Sequence, residues 1–168
     1  MTQTVLLPLV HDVVLLEPVS TFIAEAQRLA SSWRGIADAS KSVTFIQGTL
    51  QMYDPSSSYA SSPSVRTPGA TSAASIQVLG RVGYNPEQPI EQGFDVIWCQ
   101  WCLGHLSDAD LVFFFKRCKA ALRTKEERPS PFAFEYPGVI VVKENVCPDA
   151  DDGGPDSVWD EEDSSFTR

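Results

Sequence analysis

The 168-residue sequence lacks the features that mark several large classes of protein. No apolar run is long enough to span a bilayer, and the N-terminus has neither the basic flank nor the small-residue cleavage site of a signal peptide. No stripe of Lys and Arg is present that could neutralise the phosphates of a nucleic acid. We therefore expect a soluble protein of the cytoplasm, with the nucleus as a second location, that binds neither membrane nor nucleic acid.

Cysteine is scarce, and its four copies do not make a recognisable metal site. Cys99 and Cys102 form a CxxC pair, but Cys118 and Cys147 supply no second pair at zinc spacing. Cys99 lies in an apolar run, which favours buried, reduced thiols. The alternative is a metal or redox role for the pair. The sequence as a whole predicts no bound metal.

Negative charge is concentrated near the C-terminus. The net charge is −9, and residues 149–163 hold eight acids: Asp149, Asp151, Asp152, Asp156, Asp160, Glu161, Glu162 and Asp163. Such a segment is usually solvated chain, and the alternative is a surface that attracts a cationic substrate.

Short apolar runs alternate with helical patterns along the chain. Buried strands are predicted at residues 12–17, 43–47, 94–99 and 138–143. Ser20 or Thr21 caps the first predicted helix, whose apolar face comprises Phe22, Ile23, Ala26, Leu29, Ala30 and Trp33. Ser107 and Asp110 begin the second in a capping-box-like pattern, with core positions at Leu111, Phe114, Phe115, Cys118 and Leu122. This order predicts an α/β domain with a parallel sheet of about four strands.

Residues 55–93 fall outside this alternation. Residues 55–75 alone hold eight serines and three prolines, and residues 76–93 add more Gly and Pro. We expect residues 55–93 to be a disordered insertion, outside the sheet, in a single domain spanning residues 1–168.

Polar or aromatic residues follow each predicted strand, where open parallel sheets bind their ligands. These positions are Glu17, Leu50-Gln51, Gln100-Trp101 and Glu144-Asn145. The carboxylate of Glu17 can accept two hydrogen bonds from a ribose diol, and Gln51 can donate to an adenine. The alternative for Glu17 is a helix cap or a solvated acid, and for Gln51 it is polar surface.

The most specific segment is Phe94-Asp95-Val96-Ile97-Trp98-Cys99-Gln100-Trp101-Cys102-Leu103-Gly104-His105-Leu106. It resembles the α-N-terminal protein methyltransferase family, and three further segments match that family. They are Lys116-Arg117-Cys118-Lys119-Ala120-Ala121-Leu122-Arg123, Gly138-Val139-Ile140-Val141-Val142-Lys143-Glu144-Asn145, and the acid-Ser-Ser segment Asp160-Glu161-Glu162-Asp163-Ser164-Ser165-Phe166-Thr167-Arg168. That family modifies N-termini of the Xaa-Pro-Lys type. Leu6-Leu7-Pro8-Leu9 and Leu16-Glu17-Pro18-Val19 also match, so the resemblance covers about 110 of the 168 residues.

The resemblance implies a fold, a cofactor and a set of site residues. It implies a class I, Rossmann-like sheet that binds S-adenosylmethionine, and a monomer that acts on proteins with Xaa-Pro-Lys N-termini. Glu17 would hold the cofactor ribose, Leu50 and Gln51 would flank the adenine, and Gln100 would line the methionine side. Thr49 is one residue extra in this alignment. Trp101 and Asn145 would hold the first residues of the substrate, Asp160 would meet its cationic third residue, and Asp163 with His105 would accept the proton.

The chain departs from the family pattern at both ends. The family begins its core with a strand and a glycine-rich loop, whereas the first glycine here is Gly35, beyond the first predicted helix. The chain also stops at Arg168, before the family's last helix and terminal strands. We therefore expect an incomplete sheet, without the central strand between residues 13–16 and 94–99, that binds S-adenosylmethionine poorly.

Two other functions remain open at this point. One is a non-catalytic, truncated remnant that at most binds a peptide. The other is a nicotinamide-dependent dehydrogenase, which could also use Glu17 on a ribose. It ranks lower, because it does not account for the block from Trp101 to His105.

Overall fold

The computed structural model describes residues 1–56, 76–85, 93–124, 137–145, 158–161 and 165–167, with the backbone alone at 158–160 and 165–167. The chain divides into two compact units. The first contains residues 1–53 and 76–85. The second contains residues 54–56 and the described residues from 93 onward.

The first unit is built on a parallel pair of strands. Short helical segments, Thr2–Leu6 and α1 (Leu7–Leu9), lead into β1 (Asp12–Glu17), α2 (Ser20–Ala30) and β2 (Ser42–Gln47). The register of β1 and β2 runs from Asp12↔Ser42 to Glu17↔Gln47. Parallel neighbours need a crossover, which α2 supplies. The strand predicted at residues 12–17 is confirmed, and the second begins one residue earlier than predicted.

The core of this unit surrounds β2. Val43, Phe45 and Ile46 are fully buried, and the Phe45 and Trp33 ring centroids are 6.4 Å apart. Ile23 from α2 is also fully buried. A strand that is apolar on both faces is typical of a parallel sheet covered by a helix.

The helix α2 differs from its prediction in two ways. Phe22 and Leu29 were expected in the core, but they are 66% and 42% exposed, so the buried face is narrower than predicted. The N-cap is Val19 rather than Ser20 or Thr21, and it has no side-chain cap. The backbone N–H of Val19 instead donates to Oε1 of Glu17 at 2.9 Å.

A third strand, β3 (Gln77–Gly83), pairs antiparallel with β2. The prediction that residues 55–93 lie outside the sheet is therefore wrong for these seven residues, while residues 57–75 and 86–92 lie outside the described chain. Arg81 explains the pairing in part, because its Nη2 donates to Asp12 Oδ1 and to Ser42 Oγ, both at 2.5 Å. One guanidinium thus joins all three strands. The sequence pattern does not indicate this strand, because it contains two glycines and follows a Ser/Pro-rich segment.

The second unit repeats the strand–helix–strand order. It contains β4 (Val96–Gln100), a 3₁₀ turn (Leu103–His105), α3 (Asp108–Ala121) and β5 (Val139–Lys143). The parallel register of β4 and β5 runs from Val96↔Val139 to Gln100↔Lys143. A hairpin of β6 (Val158–Asp160) and β7 (Ser165–Thr167) follows.

Local contacts set the ends of these elements. The Ser107 hydroxyl accepts from the Asp110 N–H at 3.2 Å, which confirms the predicted start of α3, and Phe114 and Cys118 are buried as expected. Strand β4 begins two residues later than predicted. Phe94 forms an isolated bridge with Leu122, so it pairs with the end of α3 rather than with β5.

The expected single sheet of about four parallel strands is not what the described residues form. They contain two parallel pairs in separate sheets, one of them extended by the antiparallel β3. The α/β composition and the parallel pairing are confirmed, and the single sheet is wrong for this part of the chain. Within the described residues, no helix has the length and apolar character needed to cross a membrane.

Replacing Phe45 by Ala should lower the free energy of unfolding by about 3–5 kcal/mol, since a fully buried ring leaves a cavity. Phe22→Ala is the matched control in the same unit, and its exposed ring predicts a change within about 0.5 kcal/mol. Urea unfolding followed by circular dichroism measures both. Equal losses in the two variants would contradict the core described here.

Candidate functional site

In the first unit, Glu17 stands at the carboxyl end of β1. The parallel register sets it beside Gln47, and the Gly48 N–H donates to the Glu17 carbonyl at 3.2 Å. Its side-chain Oε1 accepts from Val19, which orients the carboxylate at the start of α2. This bond precedes α2 and is not a helix cap, because it is made to the N–H of the N-cap residue itself. A carboxylate still has lone pairs for a diol, so this bond is compatible with binding a ribose.

Leu50 and Gln51 lie in the loop that leaves β2 beside Glu17. The N–H groups of Met52 and Tyr53 both donate to the Thr49 carbonyl, so the chain turns within two residues of Gly48. Gln51 is exposed and Leu50 is half-buried. Three of the four predicted cofactor-binding residues thus follow adjacent strand ends in one unit.

In the second unit, Gln100, Trp101 and Asn145 share one edge of the β4–β5 pair. Gln100 is opposite Lys143 in the register, and the Trp101 N–H continues the ladder by donating to the Lys143 carbonyl at 3.1 Å. Trp98 Nε1 donates to Gln100 Oε1 at 3.3 Å. Asn145 is exposed, two residues beyond Lys143.

Trp101 has an unusual backbone and an open ring. Its φ is +53°, in the left-handed region that non-glycine residues rarely adopt, and the residue is 60% exposed. The Lys143 ammonium lies 4.4 Å from the ring centroid, in cation–π contact. The indole can therefore offer an apolar face to a small ring and also attract a cation.

Glu144 belongs to this edge, although sequence analysis gave it no role. Its Oε1 accepts from the N–H groups of Cys102 and Leu103, at 2.9 and 3.1 Å. One sequence signal could have indicated a role for Glu144: it is a carboxylate one residue past a strand end, directly before Asn145. The loop that carries Trp101 is thus bonded to the residue after β5.

His105 ends the 3₁₀ turn and is exposed ahead of α3. Strand β7 lies next to this turn. Asp160 is the last residue of β6 and is opposite Ser165 in the hairpin. The predicted base Asp163 lies outside the described residues, so its pairing with His105 stays a prediction.

The described cysteines are reduced, and two of them are buried. Cys99 and Cys118 are 3% and 0% exposed, while Cys102 is half-buried. A hydrogen bond with Cys102, together with burial, raises the pKa of the Cys99 thiol. Burial raises the pKa of Cys118 to about 11. Across the described part of the chain, His, Cys, Asp and Glu nowhere group in threes as metal ligands.

Residues 61–168 match the family described as AdoMet dependent proline di-methyltransferase, which is more than half of the chain. The chain belongs to this family. The family indicated by the residues from Trp101 to His105 and by the acid-Ser-Ser segment is thereby confirmed. The family's dependence on S-adenosylmethionine also agrees with the cofactor that the resemblance implies.

Named relatives in this family extend the match along the chain. Alpha N-terminal protein methyltransferase 1 of Arabidopsis thaliana is 30% identical over 168 residues, covering 99% of this chain and 41% of that protein. The protein of the same name in Schizosaccharomyces pombe is 29% identical over 167 residues, covering 99% and 49%. N-terminal Xaa-Pro-Lys N-methyltransferase 1-A of Xenopus laevis is 38% identical over 86 residues, covering 51% and 30%. The chain spans less than half the length of these relatives.

Native Cys99 and Cys118 should react with iodoacetamide at least tenfold more slowly than in urea. Only a thiolate reacts, and a pKa of about 11 leaves roughly a thousandth of Cys118 ionised at pH 8. Burial also hides both sulfurs. Peptide mapping by mass spectrometry measures each cysteine separately, with the urea-unfolded chain as the control. Equal rates in the two states would show that the thiols are not buried.

Proposed function

We propose that this protein transfers methyl groups from S-adenosylmethionine to the α-amino group of proteins whose N-terminus reads Xaa-Pro-Lys. One observation carries the proposal beyond family membership: the parallel register of β4 and β5 gathers Gln100, Trp101 and Asn145 at one strand edge. In the same unit, β7 lies beside the turn that ends at His105. Ligands of parallel sheets bind at such edges.

We further propose that each parallel pair is a segment of the class I methyltransferase fold. Each pair has the β–α–β order of that fold, β1–α2–β2 in the first unit and β4–α3–β5 in the second. The residues that follow these strands are those with the chemistry the fold uses. This order supports the assignment independently of the sequence match.

The first unit fits the adenosine part of the cofactor. The Glu17 carboxylate can accept from a ribose diol while Val19 holds its other side, and Gln51 can donate to a base. Leu50 offers apolar surface next to that amide. In the second unit, Gln100 has an amide for the methionine part. The bound cofactor supplies an electrophilic methyl group on a sulfonium, which needs no metal.

The second unit fits the N-terminal peptide. Proline has a fixed φ and lacks an N–H, so Xaa-Pro has a shape that the exposed Trp101 indole can select. The amide of Asn145 can both donate to and accept from the peptide backbone. Asp160 supplies negative charge for the Lys at the third position.

His105 and Asp163 complete the chemistry by removing a proton. An α-amino group has a pKa of about 7.7–8.0, so it is mostly protonated at neutral pH and has no lone pair for attack. An imidazole and a carboxylate within reach can accept that proton and orient the amine. His105 is exposed, so a peptide can approach this residue.

The second candidate function is peptide binding without catalysis. Trp101, His105, Asn145 and Asp160 all lie in the second unit, whereas Glu17 and Gln51 lie in the first. The proposed peptide-binding groups therefore share a unit with Gln100, while the groups assigned to adenosine lie in the other unit. Calorimetry of the full-length protein with S-adenosylmethionine separates the two candidates, because only a methyltransferase requires cofactor binding.

In the full-length protein, His105→Ala and Asp163→Asn should each slow methyl transfer by roughly 10²–10⁴-fold, the usual range for losing a general base. Their affinity for S-adenosylmethionine should stay within about twofold of the parent protein, since neither residue is assigned to the cofactor. Mass spectrometry of a peptide beginning Ser-Pro-Lys measures the added methyl groups. Asp149→Asn, in the same acidic segment, is the matched control and should leave the rate unchanged.

Unchanged rates in both variants would remove these residues from the proton-transfer step. A protein that binds the peptide but not S-adenosylmethionine would support the binding function and contradict the enzyme. A protein that binds neither would contradict both.

A further inference from the structure

The loop after β4 is held in a strained conformation by three hydrogen bonds to the end of β5. Trp101 N–H donates to the Lys143 carbonyl at 3.1 Å, and Cys102 and Leu103 N–H donate to Glu144 Oε1 at 2.9 and 3.1 Å. Trp101 has a φ of +53°, and Cys102 has a φ of −131° and a ψ of −16°. Three consecutive N–H groups therefore all donate toward the residues that end β5.

Successive backbone N–H groups in a turn form a concave set that binds an anion. Here the anion is a side chain of the protein itself. Hydrogen bonds to a carboxylate are stronger than those between neutral groups, so Glu144 can stabilise a backbone that a Trp side chain disfavours. Glu144 is half-buried, which limits competition from water.

The consequence concerns the direction of the indole. Trp101 is left-handed at a bend after β4, and the residue is 60% exposed with Lys143 over its ring. Released from Glu144, residues 101–103 could relax to ordinary backbone angles, and the indole would move with them. Asn145 directly follows Glu144. The position of Glu144 therefore affects both residues proposed to contact the substrate, Trp101 and Asn145.

We propose that Glu144 is a positioning residue: its carboxylate fixes the backbone of residues 101–103 and thereby presents the Trp101 indole to the substrate peptide. Glu144 itself does not contact the peptide. The second half of this proposal rests on the proposed function, because it takes Trp101 to meet a peptide. The first half concerns only the loop.

The test compares Glu144→Gln with Glu144→Ala. Glutamine keeps an acceptor oxygen at nearly the same place, whereas alanine removes it. Amide hydrogen exchange by NMR should show protection of Cys102 and Leu103 falling at least tenfold in Glu144→Ala and at most threefold in Glu144→Gln. Glu25→Ala, which breaks a surface ion pair with Arg28, is the matched control and should leave both amides unchanged.

The amide of Val139, which donates to Asp95 at the other end of the strand pair, reports on folding. If Glu144→Ala unfolds the unit, Trp101→Gly gives a second route. Glycine adopts a positive φ without strain. The loss of protection at Cys102 and Leu103 caused by Glu144→Ala should therefore be smaller when residue 101 is glycine than when it is tryptophan. Equal losses in both backgrounds would contradict the stabilisation of a strained Trp101.

Peptide binding then decides the functional half. A peptide beginning Ser-Pro-Lys should bind at least tenfold more weakly to Glu144→Ala and within threefold of the parent affinity to Glu144→Gln. Retained protection of Cys102 and Leu103 in Glu144→Ala would overturn the proposal. Lost protection with unchanged peptide affinity would overturn the presenting role. If the parent chain binds no peptide, the proposed function fails, and the exchange data still decide whether Glu144 fixes the loop.

Discussion

The parallel register of β4 with β5 is the constraint on which the candidate substrate site depends. It sets Gln100 opposite Lys143, and the Trp101 N–H extends the ladder by one bond. Only in that register does Glu144, the residue after β5, come opposite the N–H groups that follow Trp101. A slip of one residue would turn each side chain to the other face of the sheet. The site is therefore as stable as the strand pairing that supports it.

In the first unit, too, a parallel strand register positions the candidate residue, but burial of apolar side chains stabilises the pairing. Its strand β2 is buried on both faces, so the hydrophobic effect holds the sheet together and the register of β1 follows. Asp12, Ser42 and Arg81 add a polar contact across three strands. Glu17 is then carried to the sheet edge by β1, where it is bonded to the start of α2. The position of this proposed ribose-binding residue therefore depends on the packing of the core.

Buried strands and the capped helix were predictable because their signals are local. An apolar run that stops at a carboxylate marks β1, and the Ser107–Asp110 pair marks the start of α3. Strand β3 was not predictable, because Gly80 and Gly83 are poor strand formers and its stability comes from pairing with β2. The exposure of Phe22 could not be predicted from the periodic pattern either. Periodicity shows which face of a helix is apolar, but it does not show how much of that face the rest of the protein covers.

The sequence by itself determined the family and the parallel α/β composition, and it indicated the residues proposed to take part in methyl transfer. Those follow from residue identity and spacing, which the printed chain contains in full. Only the tertiary structure decided that Glu17 also bonds to Val19, that Trp101 adopts a left-handed backbone, and that Glu144 holds the loop after β4. Each of these depends on hydrogen bonds between groups whose distance is set by strand register. The reason is physical: a residue's type fixes which bonds it can make, and the pairing of strands remote in sequence fixes which partner it meets.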